Sequence, residues 1–180
     1  MMNMNCNRIS CPTRGARSRG FSLIELLVAV LVMGIGVLGV TALQMVSLQN
    51  NRMALERGEA VQLAYDMMDR VRINPGVDYS IGIGAAPPAA PNCVAQGAGC
   101  SPTDMRDFDQ ASWTCLLGEF ANDPVCGQLV GNGAIPPPAL QPGLPDGDGS
   151  VAIAGTIVTV TVQWTGFDDQ QQTVVIDSQL

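Results

Sequence analysis

The sequence predicts an α+β protein. One long N-terminal helix, membrane-spanning in its first half, packs its second half on a small antiparallel β-sheet head closed by disulfides. Three observations predict this. From Leu26 to Leu43 no residue is charged, and eighteen such residues meet the length a helix needs to cross a bilayer core. From Gln44 to Ile73 there is no proline and only one glycine, Gly58, while apolar residues recur at helical spacing. From residue 151 onward β-branched residues alternate with polar ones, behind a stretch holding four cysteines.

Residues 1–20 come first and are polar and basic. All nine basic residues of the chain are arginine, and Arg8, Arg14, Arg17 and Arg19 precede Gly20, where no acid occurs. The leader therefore carries +4 and the remainder −11, five arginines against sixteen acids. A split this sharp separates two segments with different fates, a cytoplasmic leader (1–20) and an exported remainder. The arginines hold the leader inside, so the C-terminal part faces outward. An ordinary secretory signal fits less well. The apolar run exceeds a typical signal core, no A-x-A site follows it, and Glu25 lies five residues into it.

Residues 21–73 read as one helix of roughly 80 Å, with 21–43 transmembrane. In the second half Met53, Ala60, Leu63, Ala64, Met67 and Val71 form a stripe on one face. Asp66 and Arg70 stand four apart, acid first, a favourable helical pair. Asn74-Pro75-Gly76 is the stop.

Residues 74–180 form the head. Residues 76–101 and 131–150, rich in Gly, Ala and Pro, read as loops. Residues 102–120 hold a short helix capped by Ser101 or Thr103, with Phe108, Trp113, Leu116, Leu117 and Phe120 on its apolar side. Val158, Val160, Val162 and Trp164 alternate with Thr159, Thr161 and Gln163 as a half-buried strand. Gly166-Phe167-Asp168-Asp169 turns the chain into a return strand at 173–176. This hairpin is the natural partner of the helix stripe.

Cys6 and Cys11 lie in the leader; Cys93, Cys100, Cys115 and Cys126 lie in the head. An even number in a small exported domain implies two disulfides with three possible connectivities. The local pairing Cys93–Cys100 and Cys115–Cys126 is preferred, each closing a short loop worth ~2–3 kcal/mol. A zinc site would want CxxC spacing and often histidine, and the chain offers neither.

Missing residue types exclude chemistry. Without His there is no Ser-His-Asp or Cys-His arrangement; without Lys there is no Ser-Lys dyad, Schiff base or P-loop. No enzyme activity, cofactor or metal is expected. Gly34-Ile35-Gly36-Val37-Leu38-Gly39 spells G-x-G-x-x-G, with Glu56 or Glu59 posing as the distal acid, but no strand precedes it and it sits inside the apolar run. Gly34, Gly36 and Gly39 instead soften the helix, each at roughly 1 kcal/mol relative to Ala. Asp146-Gly147-Asp148-Gly149 resembles half a calcium loop without its third oxygen position or its later Glu, and reads as a turn. The acidic remainder repels phosphate backbones, so no direct nucleic-acid contact is expected.

The run Arg19-Gly20-Phe21-Ser22-Leu23-Ile24-Glu25 before a hydrophobic helix resembles the class III signal of type IV pilins and type II secretion pseudopilins. That resemblance implies cleavage between Gly20 and Phe21 by a prepilin peptidase, N-methylation of Phe21, and a docking role for Glu25 against a neighbouring subunit. The stretch 63–75 is similar to the helix end of the type IV pilus modification protein family (PilV), on Asp69, Arg70, Arg72, Asn74 and Pro75. The later order also resembles that family: cysteines, a D-x-x-x-W element at Asp109 and Trp113, and a strand ending at Trp164. The Pro/Gly insertion at 131–149 departs from it. The implied role is a minor pilin of a type IV pilus. It would wait in the inner membrane and join the pilus with other minor and major pilins through the inner-membrane assembly platform. A type II secretion pseudopilin shares the N-terminal logic, and a membrane-anchored periplasmic binding module is the reading of a different class.

Overall fold

The structure, a computed structural model, describes residues 20–91 and 99–180. In chain order the elements are α1 (Leu23–Ile73), α2 (Pro102–Leu117), α3 (Pro124–Gly131), β1 (Asp148–Ala154), β2 (Ile157–Thr165) and β3 (Gln171–Gln179). The chain divides into two compact units, Met1–Met45 and Val46–Leu180, and the 51 residues of α1 belong partly to each. The leader as far as Arg19 and the expected cysteine partner Cys93 lie outside the described residues.

In the first unit α1 is continuous through Gly34, Gly36 and Gly39, and every side chain from Phe21 to Met45 is exposed. By length and composition this stretch is able to cross a membrane. Thr41, the hydroxyl residue among the apolar ones, donates back to Val37 O at 2.8 Å and lies 3.0 Å from Leu38 O, which keeps its polar group satisfied without water.

In the second unit the stripe of α1 packs on the sheet. Ala60, Leu63, Ala64, Met67, Met68 and Val71 join Val151, Val158, Val160, Val162 and Trp164 in the main core, with Tyr79, Trp113, Leu117 and Leu144. The apolar stripe begins two turns later than the sequence suggested, at Ala60, because Met53 is exposed; between them Glu56 is buried. The sheet is an antiparallel meander in the order β1-β2-β3. Val160 sits opposite Val151 on one side and Ile176 on the other. Odd and even positions of β2 separate as expected, with Val158, Val160, Val162 and Trp164 buried between half-exposed polar neighbours.

Three features correct the sequence reading. The sheet has a third strand, β1, whose first residues lie within the expected 131–150 loop. The hairpin β1–β2 turns through Gly155 at φ 64°, a conformation glycine adopts without steric cost. Helix α3 was not foreseen; eight residues are too few to show a period, although Asp123 caps it and Pro124 opens it. Finally, α2 stops at Leu117, so Phe120 lies beyond it and packs with Phe108 in a second, smaller cluster around Ala111, Cys115, Cys126, Leu129 and Ile135.

That second cluster holds a disulfide. Cys115 on α2 and Cys126 on α3 are bonded, with Cα atoms 5.4 Å apart. Cys100 is also disulfide-bonded.

Candidate assembly segment and head clasp

Two arrangements are candidates for function, one in each unit. The first is the start of α1. Phe21 precedes the helix and is 84% exposed. Glu25 lies in the first turn, where a carboxylate favours the helix dipole, and its side chain is exposed. Leu26 N donates to Ser22 O at 3.2 Å, so the helical ladder starts one residue after the expected cleavage position. The result is one carboxylate on an otherwise uncharged, fully exposed apolar surface. A shallow groove on that surface is lined by Met33, Gly36, Val37, Val40, Thr41 and Gln44. At Gly34, Gly36 and Gly39 an added Cβ would meet nothing within 4 Å.

The second arrangement clasps the end of α1 to the head. Arg70 is the centre. Its Nε donates to Asp66 Oδ2 at 2.9 Å, and its Nη1 donates to Asp109 Oδ1 at 3.1 Å and Ser112 Oγ at 2.8 Å. Tyr79, fully buried, donates its hydroxyl to Asp109 Oδ2 at 2.9 Å. Asn74 Nδ2 donates to the Tyr79 oxygen at 2.9 Å and to Pro102 O at 2.7 Å. Gln110 Nε2 donates to Tyr79 O at 2.9 Å. One turn along α2, Trp113 Nε1 donates to Leu63 O on α1 at 2.9 Å. The spacing of four places Asp109 and Trp113 on one face of α2, so both reach α1 together.

The electrostatics follow from burial. Burial pushes the Tyr79 phenol up to about 12, and Asp109, by hydrogen bond and charge, acts in the same direction, against the donation from Asn74. The Asp109 carboxylate is balanced by the Arg70 guanidinium, a pairing that a nearly dry site requires.

The positions singled out in the sequence therefore divide. Arg70 and Asn74 enter the clasp. Among the described residues Asp69 pairs only with Arg72, at 3.2 Å on the surface, and Arg72 also reaches Ser178 Oγ on β3. Pro75 begins the turn after α1. Tyr79 carried no pattern in the sequence; the available signal was a tyrosine placed just after the helix stop, since a buried phenol needs a partner. Asp148 is likewise engaged rather than open. It is 2% exposed, and its two oxygens accept from the backbone N–H groups of Gly84 and Gly149. Asp146 takes a turn conformation at φ 48°. Nearby, burial and then the charges of Asp148 and Asp146 raise the Glu119 carboxyl. Among the described residues no group of three or more Cys, Asp or Glu side chains is arranged to hold a metal ion.

Comparison with known proteins bears on both arrangements. Residues 15–41 match the family model of the prokaryotic N-terminal methylation motif, and these include Gly20, Phe21, Glu25 and the three helix glycines. Residues 42–111 match the model described as type IV pilin Tt1218-like, covering the rest of α1, Tyr79 and Asp109. No curated protein and no solved structure matches the chain.

Proposed function

We propose that this type IV pilin, with its class III signal and its apolar N-terminal helix, is a minor pilin. The observation that carries the assembly part of this reading is Glu25. A carboxylate within a membrane span costs on the order of 2.5–3.5 kcal/mol even on lenient scales, and such a group usually has a partner. Processing after Gly20 would give Phe21 a free cationic amine, four residues from Glu25. In a staggered bundle the amine of one subunit can meet the Glu25 of the next, which makes insertion directional. The mature protein would wait in the inner membrane as a single-pass subunit with its N-terminus at the cytoplasmic side. It would then be drawn into the pilus by the assembly platform, beside other minor and major pilins. Its role is structural and needs no active site, cofactor or metal; the acidic head does not bind nucleic acid directly, and retention on DNA at physiological salt would overturn that.

The minor-pilin part draws on the helix end from Asp69 to Pro75 and on a head large enough to carry disulfides. A type II secretion pseudopilin would use the same N-terminal segment. The glycines at 34, 36 and 39 would let α1 extend locally as the filament packs. Uniform helical hydrogen-exchange protection across 34–39 in assembled filaments would rule that out.

The test is intact mass after co-expression with a prepilin peptidase, beside Gly20→Ala. A chain beginning at Phe21 with one added methyl, lost in the variant, is expected. An uncut chain, or cleavage after residue 43, refutes the reading. Sheared filaments then separate the roles: a minor pilin is present far below the major subunit, and a pseudopilin is absent from them.

A further inference from the structure

Strand β3 ends the sheet order, and among the described residues no further strand, helix or loop pairs its backbone with the outer edge. Which backbone groups face outward follows from the ladder. Gly166 N donates to Gln170 O at 2.8 Å and Leu180 N to Thr156 O at 2.9 Å, one bond beyond each end of the β2–β3 register. Both join even-numbered residues. Opposite residues of antiparallel strands alternate between bonded and non-bonded pairs, so the even residues of β3 exchange bonds with β2. The odd residues, Gln171, Thr173, Val175, Asp177 and Gln179, therefore aim their N–H and C=O groups away from it. The other edge of the sheet is guarded, because Val151 of β1 exchanges both bonds with Ile81, at 3.0 and 2.9 Å. β3 has no such guard, and it holds no Lys, no Pro and one charge, Asp177.

We propose that this edge pairs with β3 of a second copy of the chain, antiparallel and centred on Val175. In that register Val175 meets its own counterpart, Thr173 meets Asp177 and Gln171 meets Gln179, so every outward group meets another outward group. It is also the register of longest overlap. The charge is accommodated. Each Asp177 faces a threonine hydroxyl able to donate to it, and the two carboxylates stand four residues apart, about 14 Å, beyond the ~8 Å screening length at physiological salt. Between these pairs Val174 comes opposite Ile176, on the face that packs against the core. Both are half-buried at its margin, and in the pair each covers the other. Val175, an apolar residue 55% exposed between Thr173 and Asp177 on the outer face, sits on the two-fold axis.

The pairing also fixes which copies meet. The Arg52 guanidinium lies 5.7 Å from the centre of the Phe167 ring, in the turn before β3, and Arg72 donates to Ser178 Oγ near the end of β3. The second half of α1 therefore runs in the direction of β3. A two-fold axis that reverses β3 reverses this half-helix too, so the two heads are entered from opposite ends. Copies anchored side by side in one membrane are entered from the same end. The paired heads thus belong to copies carried on two separate surfaces. The inference rests on the head and not on the minor-pilin reading.

The test is vesicle clustering. The full chain reconstituted into phosphatidylcholine vesicles, at physiological salt, should draw them together, read as a several-fold rise in light scattering over protein-free vesicles. Val175→Lys and Val175→Glu change an exposed side chain whose backbone lies outside the β2 ladder, so the fold should stand. Each puts like charges directly opposite one another on the two-fold axis, and vesicles carrying either variant alone should scatter like protein-free ones. Mixing the two populations sets opposite charges on the axis and should restore clustering, which also shows that both variants are folded. Clustering that persists in Val175→Lys alone, or that the mixture fails to restore, overturns the proposal. So does native chain that leaves its vesicles dispersed, as an edge reserved for another protein's strand, or pairing confined to one membrane, would give.

Discussion

Replacing Asp109 by Ala should destabilise the head far more than replacing Asp69 by Ala, although both acids are paired with an arginine of α1. Asp109 is 7% exposed, and each of its oxygens accepts one strong bond, from Arg70 and from Tyr79. Breaking a buried ion pair by removing one partner costs about 3–5 kcal/mol when the other charge is stranded. Arg70 would not be fully stranded, because Asp66 and Ser112 remain. Tyr79 would be: its oxygen already accepts from Asn74, and its buried O–H would lose its acceptor. That leaves an expected loss of about 3 kcal/mol. The Asp69–Arg72 pair has side chains 65% and 46% exposed, so its removal should cost no more than about 0.5 kcal/mol. Denaturant unfolding in mild detergent, followed by the fluorescence of the two buried tryptophans, Trp113 and Trp164, measures both. Tyr79→Phe in the Asp109→Ala background should then cost less than Tyr79→Phe alone, with a coupling of at least about 1 kcal/mol. If the two Ala variants lie within 1 kcal/mol of each other, the clasp does not hold the head as described.

Three further outcomes are expected. Gly147→Ala should cost about 2–3 kcal/mol in the same assay, because its Cβ would lie 2.1 Å from Leu117 O and 2.7 Å from Leu144 Cβ; Gly131→Ala, with nothing within 4 Å, should be close to neutral. The paired variant Cys115→Ala/Cys126→Ala opens a short loop and should lose about 2–3 kcal/mol, read as a shift in denaturation midpoint. Tyr79 has a raised pKa when folded, so its neutral form is the one the fold favours. Its contribution is complete below the ordinary phenol value of 10 and is lost as pH rises through about 12. Stability should therefore fall by up to about 2–3 kcal/mol across that window in the native chain, and Tyr79→Phe should remove that part of the fall.

Legibility in the sequence tracked the range of the interaction. The apolar run, the stripe from Ala60 to Val71 and the alternation of β2 are repeating local patterns, and each became the element its period implied. Ser101 was one of two cap candidates, and its side chain accepts from Asp104 N at 3.1 Å. The pairs Asp66–Arg70 and Cys115–Cys126 were also within reach, being close in sequence. By contrast, Arg70–Asp109 spans 39 residues and Tyr79–Asp109 spans 30. Nothing in composition or spacing states that these side chains converge. Burial of Glu56 is a further case: its position is in register with the stripe, four before Ala60, but an acid there gave no reason to expect a buried side chain.

The Pro/Gly insertion shows why a sequence rich in turn residues need not be a free loop. Helix α2 ends at Leu117, where its last carbonyls need donors. Leu144 N supplies one to Leu117 O at 2.8 Å, and Leu144 is 2% exposed in the main core. Glu119 N donates to Gly147 O at 3.0 Å and Thr165 N to Pro145 O at 2.9 Å, so the same few residues join the end of α2 to the end of β2. The backbones approach so closely that Gly118, Gly143 and Gly147 each leave no room for a Cβ. Glycine is required there by packing, and the turn composition that suggested looseness records a tight seam. The segment that departs from the resemblance to pilus modification proteins is thus the one that ties the end of α2, the helix that carries Asp109 and Trp113, to the end of β2.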